Sequence, residues 1–508
     1  MTGELRLGID VGGTNTDAVV VDPEGSVLAW HKTPTTPDPF GGIAAALAAV
    51  LAETGPVGRV MLGTTHPLNA IIRRRGLAKV GILRLGAPAT LSIAPLTGWP
   101  ADLAAAVTGP VEIVRGGHEV GGVELAPLDE DAVRHFAERC RDRADAVAVT
   151  GVSSPMVRDH EVRAAAIITE VLGAVPVTLG HEVGGMGLLE RENSAVLNAA
   201  LTFAGAEIVR GLDGALQQHR VRAQVYLTQN DGTLVTAAEA ARRPILTIGS
   251  GPANSMRGAA AVSGVGDAII ADVGGTSTDV GVLLGGFPRE SAHAVEIGGV
   301  RTNYRMPDLV SIGLGGGTIV HPGGRIGPDS VGYRLASQAL VSGGTVATLS
   351  DVGVLAGRLS FGSRTPELPP DTVRSAVAWI DERIGFLTDR IRAGRADLPL
   401  IAVGGGAGLL PTRVPGTATV IRPRHAAVAN AIGAAIAEVS GSVDRVFTYD
   451  SGSRSECLRA AQDEAIEAAG TAGADRTRIR ITTVTETGMS YLPGNVVRVQ
   501  VKAAGPLG

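Results

Sequence analysis

The sequence predicts an α/β protein of two lobes around a cleft, with a small α+β piece at its C-terminal end. Three observations carry that prediction. Helical and strand patterns alternate along most of the 508 residues, as they do in layered α/β proteins. At that length one hydrophobic core gives way to two or three domains. Finally, one strand–turn–strand unit is written twice: residues 10–17 read DVGGTNTD and residues 272–279 read DVGGTSTD, differing only at Asn15 and Ser277. A repeat at that separation marks a duplicated domain, since solenoid units recur every few tens of residues.

The elements follow in order. Leu5–Ile9 is an apolar run ending at Asp10, Thr16–Val21 a second, and Val27–Lys32 a third. GGIAAALAAVLAE (41–53) reads as a helix by length and small-residue content. LDEDAVRHFAERCRDR is a helical pattern and AVAVTGV the strand after it. Around the second turn, residues 268–271 lead into Asp272 and Thr278–Leu284 lead away. Pro/Gly-rich stretches at 317–330 and 362–370 read as loops. Beyond about residue 440, SECLRAAQDEAIEAAG predicts a helix, and RIRITTVTE and NVVRVQVKA two strands. The expected segments are therefore 1–190, 191–440 and a C-terminal appendage, 441–508.

Composition narrows the function. Hydrophobic residues are 44% and charged residues 19% of the chain, an ordinary globular balance. The net charge of −5 gives no general attraction to nucleic acid or to anionic membranes. Arg73, Arg74 and Arg75 form one local basic run, read as a solvated helix face. Cys140 and Cys457 are the two cysteines, far apart and without metal spacing, which fits a reducing compartment. No signal-peptide pattern and no purely apolar stretch of spanning length is found, so a cytoplasmic protein is expected.

The repeated turn is where chemistry enters. Glycines directly after a strand let backbone N–H groups approach a phosphate closely. Gly12, Gly13, Gly274 and Gly275 are placed to do so, and Thr14, Thr16, Thr276 and Thr278 add hydroxyls. A carboxylate at the strand end repels phosphate unless a cation stands between, and Mg²⁺ favours one or two carboxylates plus phosphate. Asp10 and Asp272 are thus the candidate metal-binding and catalytic residues. One such turn alone is equally a simple glycine hairpin; two copies facing each other make a nucleotide clasp. A third element, LIAVGGGAGLLP (400–411), sets Gly404, Gly405 and Gly406 after an apolar strand, where bare backbone can receive an adenosine.

Two acidic hairpin turns, a GGG turn and the small-residue helix VANAIGAAIAEV resemble the actin-like ATPase superfamily of sugar kinases, Hsp70 and actin, with its duplicated RNase H-like fold. Within it the chain resembles the hydantoinase A/oxoprolinase family, in a short form. The matching segments are GTTHPLNAIIRRRG, LLERENSAVLNAAL, LTQNDGTLVTAAEAARRPILTIGSGPANS and GGVRTNYRMPDLVSIGLGGGTIV, in family order between residues 5 and about 440. The resemblance implies ATP-dependent opening of a cyclic amide such as a hydantoin, oxoproline or another lactam. ATP phosphorylates the amide oxygen, and a hydantoinase B-type partner subunit helps complete hydrolysis within an oligomer. It assigns Mg²⁺ to Asp10 and Asp272, phosphates to Gly12, Gly13, Thr14, Gly274, Gly275 and Thr276, and the nucleoside to Gly404–Gly406. The sequence departs from the family where GPDSVGYRLASQ (327–338) replaces a proline-glycine-proline-alanine-cysteine stretch, and in the altered segment after Arg75.

Other residues have two readings each. His66 faces a cleft or caps a helix. SGPANS (250–255) presents a helix N-terminus to an anion or is ordinary capping. GLGGGT (313–318) has the look of a dinucleotide loop without the strand–helix context that loop needs. Asp308 approaches the phosphates or closes a turn, and Glu190, Arg191 and Glu192 line the cleft or simply start a helix. No Ser/His/Asp order, HExxH or four-ligand metal cluster is found, so any transition metal is expected from a partner. The rival functions are an ATP-dependent carboxylase subunit and a nucleotide-gated regulator.

Overall fold

The computed structural model describes residues 4–13, 15–34, 39–291, 294–392, 394, 397–449, 453–489 and 495–508. It is built on two sheets and an inserted third. The first is nine-stranded, in the spatial order Arg480–Gly488, Val496–Gly505, Glu438–Thr448, Thr233–Thr236, Gln224–Thr228, Arg59–Thr64, Arg6–Val11, Asn15–Val21 and Val27–Pro34. The second runs Phe287–Pro288, Thr278–Leu284, Ala268–Val273, Leu400–Val403 and Val420–Ile421, with Leu309–Ile312 also pairing Thr278–Leu284. The same unit opens both: an antiparallel hairpin whose first strand pairs in parallel with a later one.

The central strands Arg6–Val11, Asn15–Val21, Arg59–Thr64, Ala268–Val273 and Leu400–Val403 are mostly apolar runs buried on both faces, as strands covered by helices on both sides must be. In lobe I the helices Pro39–Thr54 and Thr202–Gln218 cover one face through Ile43, Leu47, Ile208 and Leu212, packed on Leu7, Ile9 and Val20. The short helix Ala429–Ala435 covers the other face, over Val19 and Val21. In lobe II the helix Pro370–Arg392 packs on Ile269, Ala271, Val280 and Val282 through Ile380, Ile384 and Leu387. The helix Ser250–Ser263 packs on Ile270 and Leu283 through Met256 and Ala259.

The helices Ser250–Ser263 and Ala429–Ala435 also cross each other, forming the floor between the lobes. Their contact is backbone to backbone. A Cβ at Gly258 would stand 1.7 Å from the Ala429 carbonyl oxygen, and one at Gly433 1.8 Å from that of Asn254. Only glycine fits at such a crossing.

A four-stranded parallel sheet, in the order Thr108–Arg115, Val80–Ala87, Ala146–Gly151 and Val177–Leu179, is inserted between two strands of lobe I. The helix Leu188–Ala200 ties it down through Glu192, which receives two 2.6 Å bonds from the fully buried Arg84 guanidinium. Removing one partner of such a pair typically costs about 3–5 kcal/mol.

The expected segments do not coincide with the sheets. The nine-stranded sheet draws strands from 1–190, 191–440 and 441–508 alike, and the C-terminal strands extend lobe I. The appendage helix Arg454–Thr471 starts on a Ser453/Glu456 capping box and lays Ala461, Ala465 and Ala469 on the sheet. The stretch 317–330, expected as a loop, contains a small hairpin, Thr318–Val320 with Ile326–Ser330. The expected helix 428–439 stops at Ala435 because Glu438 already belongs to a strand. No single described helix is long and apolar enough to cross a membrane.

Candidate functional site

Strand alternation decides which side chains meet at the cleft floor. Successive residues point to opposite faces of a sheet, and residues opposite one another in register share a face. Asp10 is in register with Asp17, and Asp272 with Asp279. All four carboxylates lie on the faces covered by the two floor helices. Thr16 and Thr278 lie on the opposite faces. Thr16 is buried beside Gly42 of an outer helix, and the Thr278 hydroxyl donates to the Leu314 carbonyl at 2.5 Å. Neither hydroxyl is available to a ligand in the cleft, which corrects the sequence expectation for both.

The floor helices hold the two strand-end aspartates with neighbouring side chains. On Ser250–Ser263, Asn254 reaches Asp10 (Nδ2 to Oδ1, 3.5 Å), and the adjacent Ser255 hydroxyl bonds Asp272. On Ala429–Ala435, Asn430 donates to Asp10 Oδ2 at 2.8 Å. Asp17 pairs with Lys32 at 2.7 Å, across the hairpin to the next strand. Asp279 bonds Ser311 on its pairing strand. Of these, SGPANS supplied Asn254 and Ser255 as a quoted segment, whereas Asp17, Asp279, Lys32 and Asn430 were missed. The signal for the aspartates was present, because the repeated unit ends in Asp as well as beginning with it.

Glycines make room for the carboxylates. A Cβ at Gly63, opposite Asp10 in register, would stand 2.5 Å from Asp10 Oδ1 and 2.2 Å from Asn254 Nδ2. In lobe II a Cβ at Gly404, where φ is +85°, would stand 2.3 Å from Asp272 Oδ1. The GGG turn therefore lies directly against Asp272, with the Gly406 N–H donating to the Val273 carbonyl at 2.8 Å. Gly405 is open on the side where a Cβ would be.

The turns themselves share a geometry: Gly12 N–H donates to the Asn15 carbonyl at 3.0 Å, and Gly274 N–H to the Ser277 carbonyl at 2.9 Å. Gly13 and Thr276 are exposed at their tips, and Thr14 lies outside the described residues. The second turn has a buttress of backbone, supplied by the GLGGGT stretch. Gly316 and Gly317 N–H donate to the Gly274 and Gly275 carbonyls at 3.0 and 2.7 Å, and a Cβ at Gly315 would stand 2.6 Å from the Thr276 nitrogen. The GLGGGT stretch is thus a brace for the second turn, and its glycines are explained by backbone stacking.

Electrostatics sets this region apart. Burial pushes the Asp10 carboxyl up to about 7, with repulsion from Asp17 adding to it and the amides of Asn254 and Asn430 opposing it. Burial pushes Asp279 up to about 6. It raises Asp17 against the pull of Lys32, and Asp272 against its bond from Ser255. Asp272 also repels both Asp10 and Asp17, so charge is felt across the cleft. Among the described residues two buried carboxylates, Asp10 and Asp17, and two half-buried ones, Asp272 and Asp279, face one ammonium. That imbalance, with Asn254 Oδ1 buried and unpartnered, is an oxygen-rich set suited to a hard divalent cation. The oxygens are not gathered into a preformed cage: among the described residues the cluster of three potential ligand atoms within 4.8 Å is elsewhere, at His118, Glu124 and His160. There the Gly117 N–H donates to His160 Nδ1 and the opposite nitrogen faces Glu124 at 3.2 Å. That arrangement gives His160 hydrogen bonds at both nitrogens and no lone pair for a metal.

The remaining candidates have side-chain partners of their own. His66 starts the helix His66–Arg73 and faces Glu207 at 3.5 Å. Asp308 is tied to Arg289 at the edge of lobe II. Glu190 stands 3.8 Å from Arg301, while Arg191 and Glu192 are buried struts of the insert rather than an exposed helix start.

With the geometry in place, likeness to known proteins is informative. Residues 6–172 match the hydantoinase/oxoprolinase N-terminal region, and residues 191–391 match hydantoinase/oxoprolinase. The chain is 28% identical over 501 residues to the caprolactamase subunit alpha of Pseudomonas jessenii, covering 86% of this chain and 70% of that one. It is 28% identical over 408 residues to the acetophenone carboxylase gamma subunit of Aromatoleum aromaticum, covering 71% of this chain but 54% of that subunit. A crystal structure of ATP-dependent caprolactamase from P. jessenii superposes with a TM-score of 0.77 at 22% identity, covering 99% of this chain and 88% of that one. The last likeness establishes that the two chains share a fold.

Proposed function

The chain belongs to the hydantoinase/oxoprolinase family, and on that premise we propose that it is the ATP-binding component of an enzyme that opens a cyclic amide. The observation that carries this reading is the pair of matched hairpins whose four carboxylates, two buried and two half-buried, face a single ammonium among the described residues across one cleft floor. Such a site is short of positive charge, and Mg²⁺ with a nucleotide polyphosphate brings both the cation and the anion it bridges. Asp10 and Asp272, with Asp17 and Asp279 behind them, are the residues that would hold Mg²⁺. A bound Mg²⁺ supplies charge neutralisation between carboxylate and phosphate oxygens.

With the Gly12 and Gly274 N–H groups closing the turns, the backbone N–H groups of Gly13 and Gly275, with the exposed Thr276, would donate to the phosphates, and Lys32 balances the charge beside Asp17. Thr14 belongs to the first set by sequence. Gly404–Gly406 flank the nucleoside. The chemical need is clear: an amide is a poor electrophile, and phosphorylating its oxygen draws electron density from the carbon, so that water can add there and the ring nitrogen can leave. The chain's contribution is positioning and electrostatics.

The relatives favour a multi-subunit setting, since two of them are named as subunits, and a hydantoinase B-type partner is the natural complement. The likeness to a carboxylase subunit supports a second reading, in which a ketone enolate oxygen is phosphorylated before carboxylation. Measuring ADP release with caprolactam, and separately with acetophenone plus bicarbonate, decides between them. Stimulation by the lactam supports amide opening. Stimulation by the ketone with bicarbonate supports carboxylation. Binding of Mg–ATP without stimulation by either, with candidate partners present, leaves the regulatory reading in its place.

A further inference from the structure

The last strands of the chain meet the second sheet around one aromatic ring. Phe287 begins the lobe II edge strand Phe287–Pro288 and is buried. Three cations lie over it. Arg257, of the floor helix Ser250–Ser263, has its Cζ 3.9 Å from the ring centroid. Lys502, of Val496–Gly505, has its Nζ at 5.7 Å, and Arg480, of Arg480–Gly488, its Cζ at 5.8 Å. Arg257 and Lys502 are only 8% and 4% exposed. A cation is drawn to the ring quadrupole most strongly where water is excluded in this way.

Carboxylates complete the cluster. Glu438, on the lobe I strand Glu438–Thr448, accepts from Arg480 at 2.7 and 2.9 Å and from Arg257 at 3.2 Å. Lys502 Nζ stands 2.6 Å from Asp231, in a turn of lobe I, and 3.6 Å from Glu290, two residues past the lobe II edge strand. Burial alone would raise the Asp231 carboxyl, but Lys502 outweighs it and holds the group below its ordinary range. Arg480 and Arg257 do the same for Glu438. These groups are therefore ionised in pairs, and a buried charge is tolerated only while its partner stays. Arg257 also donates to the Gly286 carbonyl of lobe II at 2.6 Å. Gly232 of lobe I makes room for it, since a Cβ there would stand 2.7 Å from Arg257 Cγ. One side chain of the floor helix is thus fixed by both sheets at once.

What Arg257 fixes is the position of that helix. Asn254 and Ser255 lie within one turn of it, and they are the side chains that reach Asp10 and Asp272. The Asn254 contact with Asp10, at 3.5 Å, is at the outer limit of a hydrogen bond, so a small slide of the helix ends it. We infer that Arg257 is a positioning residue of the nucleotide site, and that the C-terminal strands act on that site through it. Lys502 and Phe287 form the clasp: the ammonium binds Asp231 of lobe I and faces Glu290 of lobe II, and the ring seats the guanidinium. The inference rests on the proposed nucleotide site for its consequence, though not for its geometry.

Two readouts on the intact chain test it. Lys502→Met keeps an apolar stem and removes the charge, while Phe287→Leu keeps an apolar side chain and removes the ring face; the second carries the test if the first does not fold. In hydrogen exchange without nucleotide, each should speed the amides of Ser250–Ser263 about tenfold. Those of Pro370–Arg392, on the other face of the same sheet, should change less than about twofold. Unchanged exchange in Ser250–Ser263, or an equal rise in both helices, overturns the inference. In calorimetric titration with ATP, each variant should lose about tenfold of the affinity that Mg²⁺ adds, with any Mg²⁺-free binding changed less than about twofold. A full magnesium increment in the folded variants also overturns it. Absence of magnesium-dependent binding in the unaltered protein sinks the proposed function, while the exchange result still decides the clasp.

Discussion

The two phosphate-turn hairpins differ at a single residue of eight, yet the fold treats them differently. The first, residues 10–17, has an open tip: a Cβ at Gly13 meets nothing within 4 Å. Its second aspartate is paired to Lys32, and its first is held by two amides. The second, residues 272–279, is braced by Gly315–Gly317 and backed by Gly404, and its aspartates are bonded by serine hydroxyls. Nearly identical local sequence therefore gives the same glycine N–H to carbonyl bond in both hairpins, while the partners brought to them by distant segments differ.

Breaking the brace is expected to have the largest effect. Gly315→Ala sets a methyl group 2.6 Å from the Thr276 backbone and should destabilise the protein by about 3 kcal/mol, near the upper end for overpacking, lowering the melting temperature. The same change at Gly13 should stay within about 0.5 kcal/mol, as surface substitutions do. Equal melting temperatures for the two variants would remove the distinction between the turns.

Next in size are the aspartates. Asp10→Asn or Asp272→Asn should weaken Mg²⁺-dependent nucleotide binding about 100-fold, or about 2.7 kcal/mol at 1.36 kcal/mol per tenfold. The same substitutions should leave the nucleotide-free protein as stable as before or more so, because an uncompensated buried charge is removed. Loss of stability in parallel with binding would mean that these carboxylates are structural. Lys32→Met should cost about tenfold in affinity, equivalent to about 1.4 kcal/mol. Unchanged affinity would place Lys32 outside the phosphate site.

The pH dependence has the opposite sign from ordinary carboxylates. Asp10 and Asp279 are held at about 7 and about 6 in the folded protein, above the unfolded range near 3.9. Between about pH 4 and 7 the folded state binds more protons than the unfolded chain, so stability falls as pH rises through that window and levels off above it. The nucleotide-free protein should melt higher at pH 5 than at pH 7.5, and Asp10→Asn with Asp279→Asn should reduce that difference. A melting temperature that rises with pH across the window would contradict the assignment.

Much of this was legible in the sequence, for a physical reason: the hairpins are local. DVGGT followed directly by x-Thr-Asp dictates two strands and a glycine turn, and the repeat showed that there were two. Strand alternation could also have been applied to it, which would have sent Thr16 and Thr278 away from the aspartates and brought Asp17 and Asp279 in. What stayed hidden depends on contacts across long stretches of chain. Asn430 meets Asp10 from 420 residues away, and nothing in VANAIGAAIAEV distinguishes that asparagine from a helix surface residue. The GLGGGT brace was read only against a nucleotide motif, because stacking of one backbone on another leaves no mark except glycine. The appendage was expected as a separate piece, since the strand Glu438–Thr448 that continues the first sheet is preceded by apolar helix without a break.

The most direct test of the central claim is a calorimetric titration of the intact chain with ATP, with and without Mg²⁺, repeated on Asp10→Asn and on Asp272→Asn. The account predicts one magnesium-dependent site per chain, weakened by either substitution alone, because both hairpins hold the same nucleotide. Affinity untouched by one of the two substitutions, or binding indifferent to Mg²⁺, would show that the hairpins do not form a single site.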